Sequence, residues 1–279
     1  MSERPIGQPS PQILRVLRSY VRPMVKLLFR PTMKGIENLP ASGPFLLVAN
    51  HSAGAGAAEI ACFAHLYESE IGLDRRLNGV AHVFGFKVWL LKSLLRHLGA
   101  VPSTYEDAER ALAEGVALLI FPGGDHEALR PIWQAGRVDF AGRKGFLKIA
   151  RRAGVPIVPM GIHGSHYTAP ILLRSKTLAW LLVVPRLIGL KRWGISLLGL
   201  IGAGLIAMTP FSWPVRAGLI WCWLWSPFVP LPIIPWTIRF RIGAPIPVDE
   251  LFSGDLDGAL ARVEGEVQRL VDQSSEAQD

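Results

Sequence analysis

The sequence predicts an α/β fold: a mixed, largely parallel sheet flanked by helices, preceded by an N-terminal amphipathic helix and interrupted by an apolar, membrane-associated insertion. Three features carry this expectation. Between residues 44 and 172, short apolar runs alternate with helical stretches, the pattern of a sheet covered by helices. Two runs end in turns suited to a site. Phe45-Leu46-Leu47-Val48-Ala49 leads into Asn50-His51-Ser52-Ala53-Gly54-Ala55-Gly56, and Val116-Ala117-Leu118-Leu119-Ile120 leads into Phe121-Pro122-Gly123-Gly124-Asp125-His126-Glu127. Ligands of open α/β sheets sit beyond the carboxyl ends of the strands, where both turns would lie. Lastly, Trp193–Val215 runs 23 residues without a charge and Ala217–Ile238 another 22, with only Arg216 between them.

In chain order, residues 12–30 read as an amphipathic helix. Arg15, Arg18, Arg22, Lys26 and Arg30 share one face, and Leu14, Leu17, Val21, Val25 and Leu28 the next. Pro23 must kink or divide it. A basic stripe beside an apolar one suits a helix lying in the bilayer interface. Candidate strands are 44–49, 78–83, 116–121 and 155–159, with Trp236–Ile242 as a further one. Candidate helices are 57–69, 86–98, 105–114 and 143–153. Leu256, Leu260, Val263, Val267 and Leu270 predict a last helix over 249–272, packed on the body. The expected organisation is a membrane-surface helix at 1–34, a core at 35–175, the insertion at 176–238, and a final strand and helix at 239–279 that complete the core.

Either charge-free stretch could span about 30 Å of hydrocarbon as a helix. Pro210, Pro214, Pro227, Pro230, Pro232 and Pro235 interrupt them, however, and seven of the nine tryptophans lie between 180 and 236. Tryptophan prefers the headgroup boundary. A re-entrant or interfacial insertion is therefore expected, ahead of a transmembrane hairpin or a buried soluble core.

Composition narrows the partners. The chain has 279 residues, half of them hydrophobic, and a net charge of +8. Basic and apolar together point to anionic membrane lipids. No recognition module or basic–aromatic platform suggests nucleic acid. Cys62 and Cys222 alone make neither a disulfide framework nor a cysteine-rich zinc site. The polar, proline-rich start carries no cleavable signal pattern, so the expected location is the cytoplasmic face of a membrane.

His51 is the first candidate for chemistry, because it follows a strand directly and small residues leave space around its ring. Imidazole is suited to take a proton from an attacking hydroxyl. Such a base needs a carboxylate to fix its tautomer. Glu59 is the choice if the small-residue stretch folds back; Asp125 and Glu127 compete. The Gly123-Gly124 turn could present amides to a phosphate or an oxyanion. Of the nearby cations Arg130, Arg137, Arg143 and Lys144, Arg130 and Lys144 are preferred for substrate binding, with Glu127 beside them. His163 and His166 have no third ligand at zinc-like spacing, so no metal is expected.

Four blocks in order, Asn50-His51, Leu98-Gly99-Ala100-Val101-Pro102, Phe121-Pro122-Gly123-Gly124 and Val155-Pro156-Ile157-Val158-Pro159, resemble the glycerolipid acyltransferases of the lysophosphatidic acid acyltransferase superfamily. The resemblance covers about residues 35–175 and includes Gly142-Arg143-Lys144-Gly145-Phe146. It implies transfer of a fatty acyl group from acyl-CoA, or from an acyl carrier protein, to a lipid hydroxyl at a membrane. His51 would be the base and Glu59 its partner, with no cofactor beyond acyl-CoA as co-substrate. The acceptor it implies is lysophosphatidic acid or another lysophospholipid. Two departures stand out. The family's histidine block is His-x4-Asp, but position 56 is Gly56, and the nearest acid is Glu59. The family's Phe-Pro-Glu-Gly is here Phe-Pro-Gly-Gly followed by Glu127, which looks more like the branch of diacylglycerol acyltransferases and phytyl-ester synthases. A diacylglycerol or long-chain alcohol acceptor is the alternative, and a non-catalytic lipid-binding scaffold is the reading from another class.

Overall fold

The computed structural model describes residues 6–52, 57–72 and 75–276. The first helix, α1 (Pro11–Met24), carries Pro23 in its last turn and passes into a π-helical turn, Val25–Phe29. Proline cannot donate a helical hydrogen bond, and the rewinding begins directly after it. There follow β1 (Thr32–Lys34), β2 (Leu46–Ala49), α2 (Ala57–Ile71), β3 (Leu77–Ala81), α3 (Trp89–His97), β4 (Val101–Pro102) and α4 (Tyr105–Ala113). Next come β5 (Ala117–Ile120), α5 (Gly124–Ala128), α6 (Gly145–Ala153) and β6 (Ile157–His163). Then β7 (Ile171–Ser175) leads into α7 (Lys176–Leu181), α8 (Val184–Leu187), β8 (Trp193–Ser196), α9 (Leu197–Ala207) and α10 (Trp213–Trp225). The chain closes with β9 (Arg239–Ile242), α11 (Val248–Leu251) and α12 (Leu256–Glu276).

Among the described residues, seven strands form one sheet in the order β1-β9-β6-β2-β5-β3-β4. β6, β2, β5, β3 and β4 are parallel neighbours, whereas β9 runs antiparallel to β6 and carries β1 parallel to itself. The sheet is thus mixed and mostly parallel, with helices on both faces. Alternation along the strands sorts the core into two layers. Leu46, Val48, Leu118 and Ile157 face α4, α6 and α12; Leu47, Ala49, Leu119, Val158 and Met160 face α2 and the π-helical turn. This two-sided burial is why the central strands read as unbroken apolar runs. On β6, a Cβ at Gly161 would lie 2.6 Å from the backbone of Leu270 and Val271, so α12 lies against β6 only over a glycine.

Several expectations need correction. β1, β4, β7 and β8 were not among the expected strands; they have two to five residues each, too few to show a period. The strand expected from Trp236 begins at Arg239, because the Trp236 and Ile238 amides bond to the Leu28 and Phe29 carbonyls instead. The helix expected over 249–272 is two: it breaks after Leu251, and Asp255 Oδ1 accepts the Gly258 N–H at 2.7 Å to start α12. Neither charge-free stretch forms one long helix. α9 and α10 have 11 and 13 residues, and among the described residues no helix is long and apolar enough to cross a membrane.

Candidate active site

Three neighbouring parallel strands end together. β2 runs into Asn50-His51-Ser52, β5 into Phe121-Pro122-Gly123, and β6 into Gly164-Ser165-His166. Asn50 continues the β2–β6 ladder with its side chain: Nδ2 donates to the Ile162 carbonyl at 2.9 Å and Oδ1 accepts the Ile162 N–H at 2.8 Å. This fixes the residue before His51.

The His51 ring bonds through Nδ1 to Glu59 Oε1. Glu59 lies in the first turn of α2, where the helix dipole favours an acid, and it is fully buried. The Ser52 amide lies 3.2 Å from both its oxygens, and the Ser52 hydroxyl donates to Oε2 at 2.9 Å. A buried carboxylate is tolerated only when its oxygens are satisfied, and here three groups do so. The far face of the ring is covered by Phe121, with centroids 4.5 Å apart and planes tilted by 22°. With Nδ1 committed, Nε2 is the ring nitrogen that could exchange a proton. One turn along α2, burial and then the Glu59 charge push the Cys62 thiol up to about 12, so it stays protonated.

Glu127 is also buried, but it serves the backbone. Its Oε2 accepts the His51 N–H at 3.1 Å, and its Oε1 accepts the Asp139 N–H at 2.9 Å and Arg130 Nη2 at 3.2 Å. Burial pushes its carboxyl up to about 7, against the pull of those donors. Arg130 is just as buried; its Nη2 is used, while Nη1 has no partner among the described residues. A Cβ at Gly123 would sit 2.2 Å from the Glu127 side chain. Glu127 thus fills the space that a side chain at 123 would need.

The structure therefore brings His51, Glu59, Gly123, Glu127 and Arg130 together. It does not bring Lys144, whose ammonium pairs with Asp257 at 2.6 Å. Arg143 takes that place: Nη1 donates to the Pro122 and Gly123 carbonyls at 3.1 and 2.7 Å, and Nη2 to Asp125 at 2.6 Å. Asp125 is thereby spoken for and does not meet His51. The Gly124 amide is spent on the Phe121 carbonyl at 3.1 Å, so it is not a free donor for an oxyanion. Gly56 and the rest of the small-residue stretch 53–56 lie outside the described residues.

Other members of the site were given no role from the sequence, His166 having been weighed only as a metal ligand. Ser165 meets Ser52 through their hydroxyls, and Asp139 holds His126 Nε2 at 2.8 Å. His166 is pushed down to about 3, first by burial and then by the charges of Arg130, His163 and His51, so it is neutral. Ser52 carried a signal in its position next to His51; Ser165 and Asp139 carried none. Among the described residues no group of three or more His, Cys, Asp or Glu is placed to hold a metal ion.

Residues 30–163 match the family model for acyltransferases. An uncharacterised protein of Mycobacterium tuberculosis is 31% identical over 204 residues, 73% of this chain and 55% of that protein, so the chain spans about half the length of such curated relatives. The "DGAT1/2-independent enzyme synthesizing storage lipids" of Bos taurus is 33% identical over 126 residues, 45% of this chain and 36% of that protein. The crystal structure of the 1-acyl-sn-glycerophosphate (LPA) acyltransferase PlsC from Thermotoga maritima shares the fold, with a TM-score of 0.54 at 18% identity over 94% of this chain and 79% of that one.

Proposed function

From the premise that residues 30–163 make this chain a member of the acyltransferase family, we propose that it transfers a fatty acyl group from an acyl thioester to a lipid hydroxyl. The observation that carries this reading is the His51–Glu59 pair at the carboxyl ends of the parallel strands. His51 Nε2 removes the proton of the acceptor hydroxyl as its oxygen attacks the thioester carbonyl. Glu59 keeps the proton on Nδ1 and steadies the imidazolium. The tetrahedral oxyanion collapses to the ester and expels the thiolate, which takes the proton back from His51. No covalent acyl-enzyme is needed. With the Gly124 amide occupied, Arg130 Nη1, which has no partner among the described residues, is the donor we assign to the oxyanion.

The donor is acyl-CoA, or an acyl carrier protein, and the acceptor is a glycerolipid reached from a membrane surface. A lysophospholipid is the first reading of the acceptor. A diacylglycerol or long-chain alcohol is favoured by one specific observation: Lys144 is tied to Asp257 rather than free for a phosphate. The storage-lipid enzyme among the relatives points the same way. Purified protein with radiolabelled acyl-CoA and a panel of lysophospholipids, diacylglycerol and long-chain alcohols tests both. Wild type should form ester with at least one acceptor, and His51→Ala should lower the rate by about 10³-fold. Equal background turnover by the two proteins with every acceptor overturns the reading.

A further inference from the structure

Charge is distributed unevenly along the chain. From Phe140 to Val248 there are 13 lysines and arginines and no aspartate or glutamate. The α9–α10 hairpin rises from this stretch. Its base is fastened: the Leu197 N–H donates to the Pro170 carbonyl at 2.8 Å, Trp193 Nε1 to Leu224 at 2.7 Å, and Trp221 Nε1 to Leu181 at 3.2 Å. Nearer the tip the bonds are within the hairpin, as where Arg216 Nη1 donates to the Ala207 carbonyl at 2.8 Å. No residue of α10 is buried, and in α9 only Gly199 is. Met208 and Trp213 at the tip are 84% and 75% exposed. A helix apolar all round belongs in a core or in lipid, and soluble monomers rarely expose so large an apolar surface.

We propose that the α9–α10 hairpin is a monotopic anchor that seats its tip in the acyl boundary of an anionic bilayer. Charge chooses this occupant over a second copy or a protein partner. The acid-free stretch would meet anionic headgroups without repulsion, and Lys176 and Lys191 stand exposed on the segments packed at the hairpin base. Trp180 and Trp221 are exposed near the hairpin base, as suits the headgroup boundary. At about 1.5 Å per residue, helices this short cannot cross about 30 Å of hydrocarbon, so the hairpin dips without spanning. Arg216 is half-buried, with its guanidinium on a backbone carbonyl and its stem free to line apolar surface.

The base also touches the catalytic turn. Arg174 of β7 donates to the His126 carbonyl, and the Lys191 N–H donates to Asp125 at 3.2 Å. An anchored hairpin would hold the mouth of the His51 cleft at the lipid surface. The proposal stands independently of the acyl-transfer reading.

Flotation of the purified chain on phosphatidylcholine vesicles, with and without phosphatidylglycerol, tests it. Wild type floats with both, more strongly with the anionic ones. Met208→Asp/Trp213→Asp should lose about tenfold or more in partitioning on either vesicle, with an unchanged melting temperature because both side chains are exposed. Lys176→Gln/Lys191→Gln should keep its phosphatidylcholine binding and lose about tenfold on anionic vesicles. His51→Ala should float as wild type, which separates anchoring from catalysis. The proposal is overturned if wild type binds neither vesicle, if Met208→Asp/Trp213→Asp floats as wild type, or if that variant instead abolishes a dimer of the lipid-free protein.

Discussion

Around His51, charged groups have moved inside; in the α9–α10 hairpin, apolar groups have moved outside. Glu59, Glu127 and Arg130 are all at most 2% exposed, whereas Met208 is 84% exposed. Each region inverts the usual sorting, and each inversion has a physical condition. Ions can be buried where other groups satisfy them, as three donors satisfy Glu127. Apolar side chains can stay out where something other than water covers them. Substitutions should therefore act oppositely in the two places: costly to folding in the first, silent to folding in the second.

The largest expected loss of stability follows Arg130→Met. It leaves Glu127 buried without its counter-charge, which costs about 3 kcal/mol in denaturant unfolding at alkaline pH, where the carboxyl is ionised. The loss should shrink on acidification, because a protonated Glu127 needs no cation. The Glu127 carboxyl itself gives wild type a pH signature of about 3 kcal/mol. Its folded value of about 7 lies above the ordinary 4.5, so the folded protein holds this proton more tightly than the unfolded chain. Stability from this group is then greatest at the acid end and falls as pH rises from about 4.5 to about 7. Glu127→Gln should flatten that slope in melting curves across the window, whatever its offset. Gly123→Ala should cost about 2 kcal/mol, since its methyl group meets the Glu127 side chain at 2.2 Å. In the hairpin, Met208→Ser should change unfolding by less than about 0.5 kcal/mol. A loss there as large as that at Gly123 would erase the contrast.

The sequence made some of this legible because the relevant forces are local. The central strands were readable as apolar runs since both their faces are buried. Glu59 was reachable from His51 because only a short run of small residues separates a strand end from a helix start. Strands of two to five residues escaped where no unbroken apolar run marked them, and so did the break before Asp255. Arg143 and Lys144 are adjacent, and only their directions at the start of α6 decide which reaches the glycine turn. Asp139 and Ser165 come from distant segments, so no spacing in the chain announces them. Pro210 and Pro214 foretold interrupted helices in the insertion, though not the β7–β8 pair that carries the hairpin.

The central claim is that His51 and Glu59 act as one unit on the acceptor proton, and a double-mutant cycle in single-turnover acyl transfer tests it most directly. Each of His51→Ala and Glu59→Ala should lower the rate by about 10²–10⁴-fold, and the double variant should be no slower than His51→Ala alone. If Glu59→Ala leaves the rate unchanged, or if the two losses multiply, the pair does not work as described.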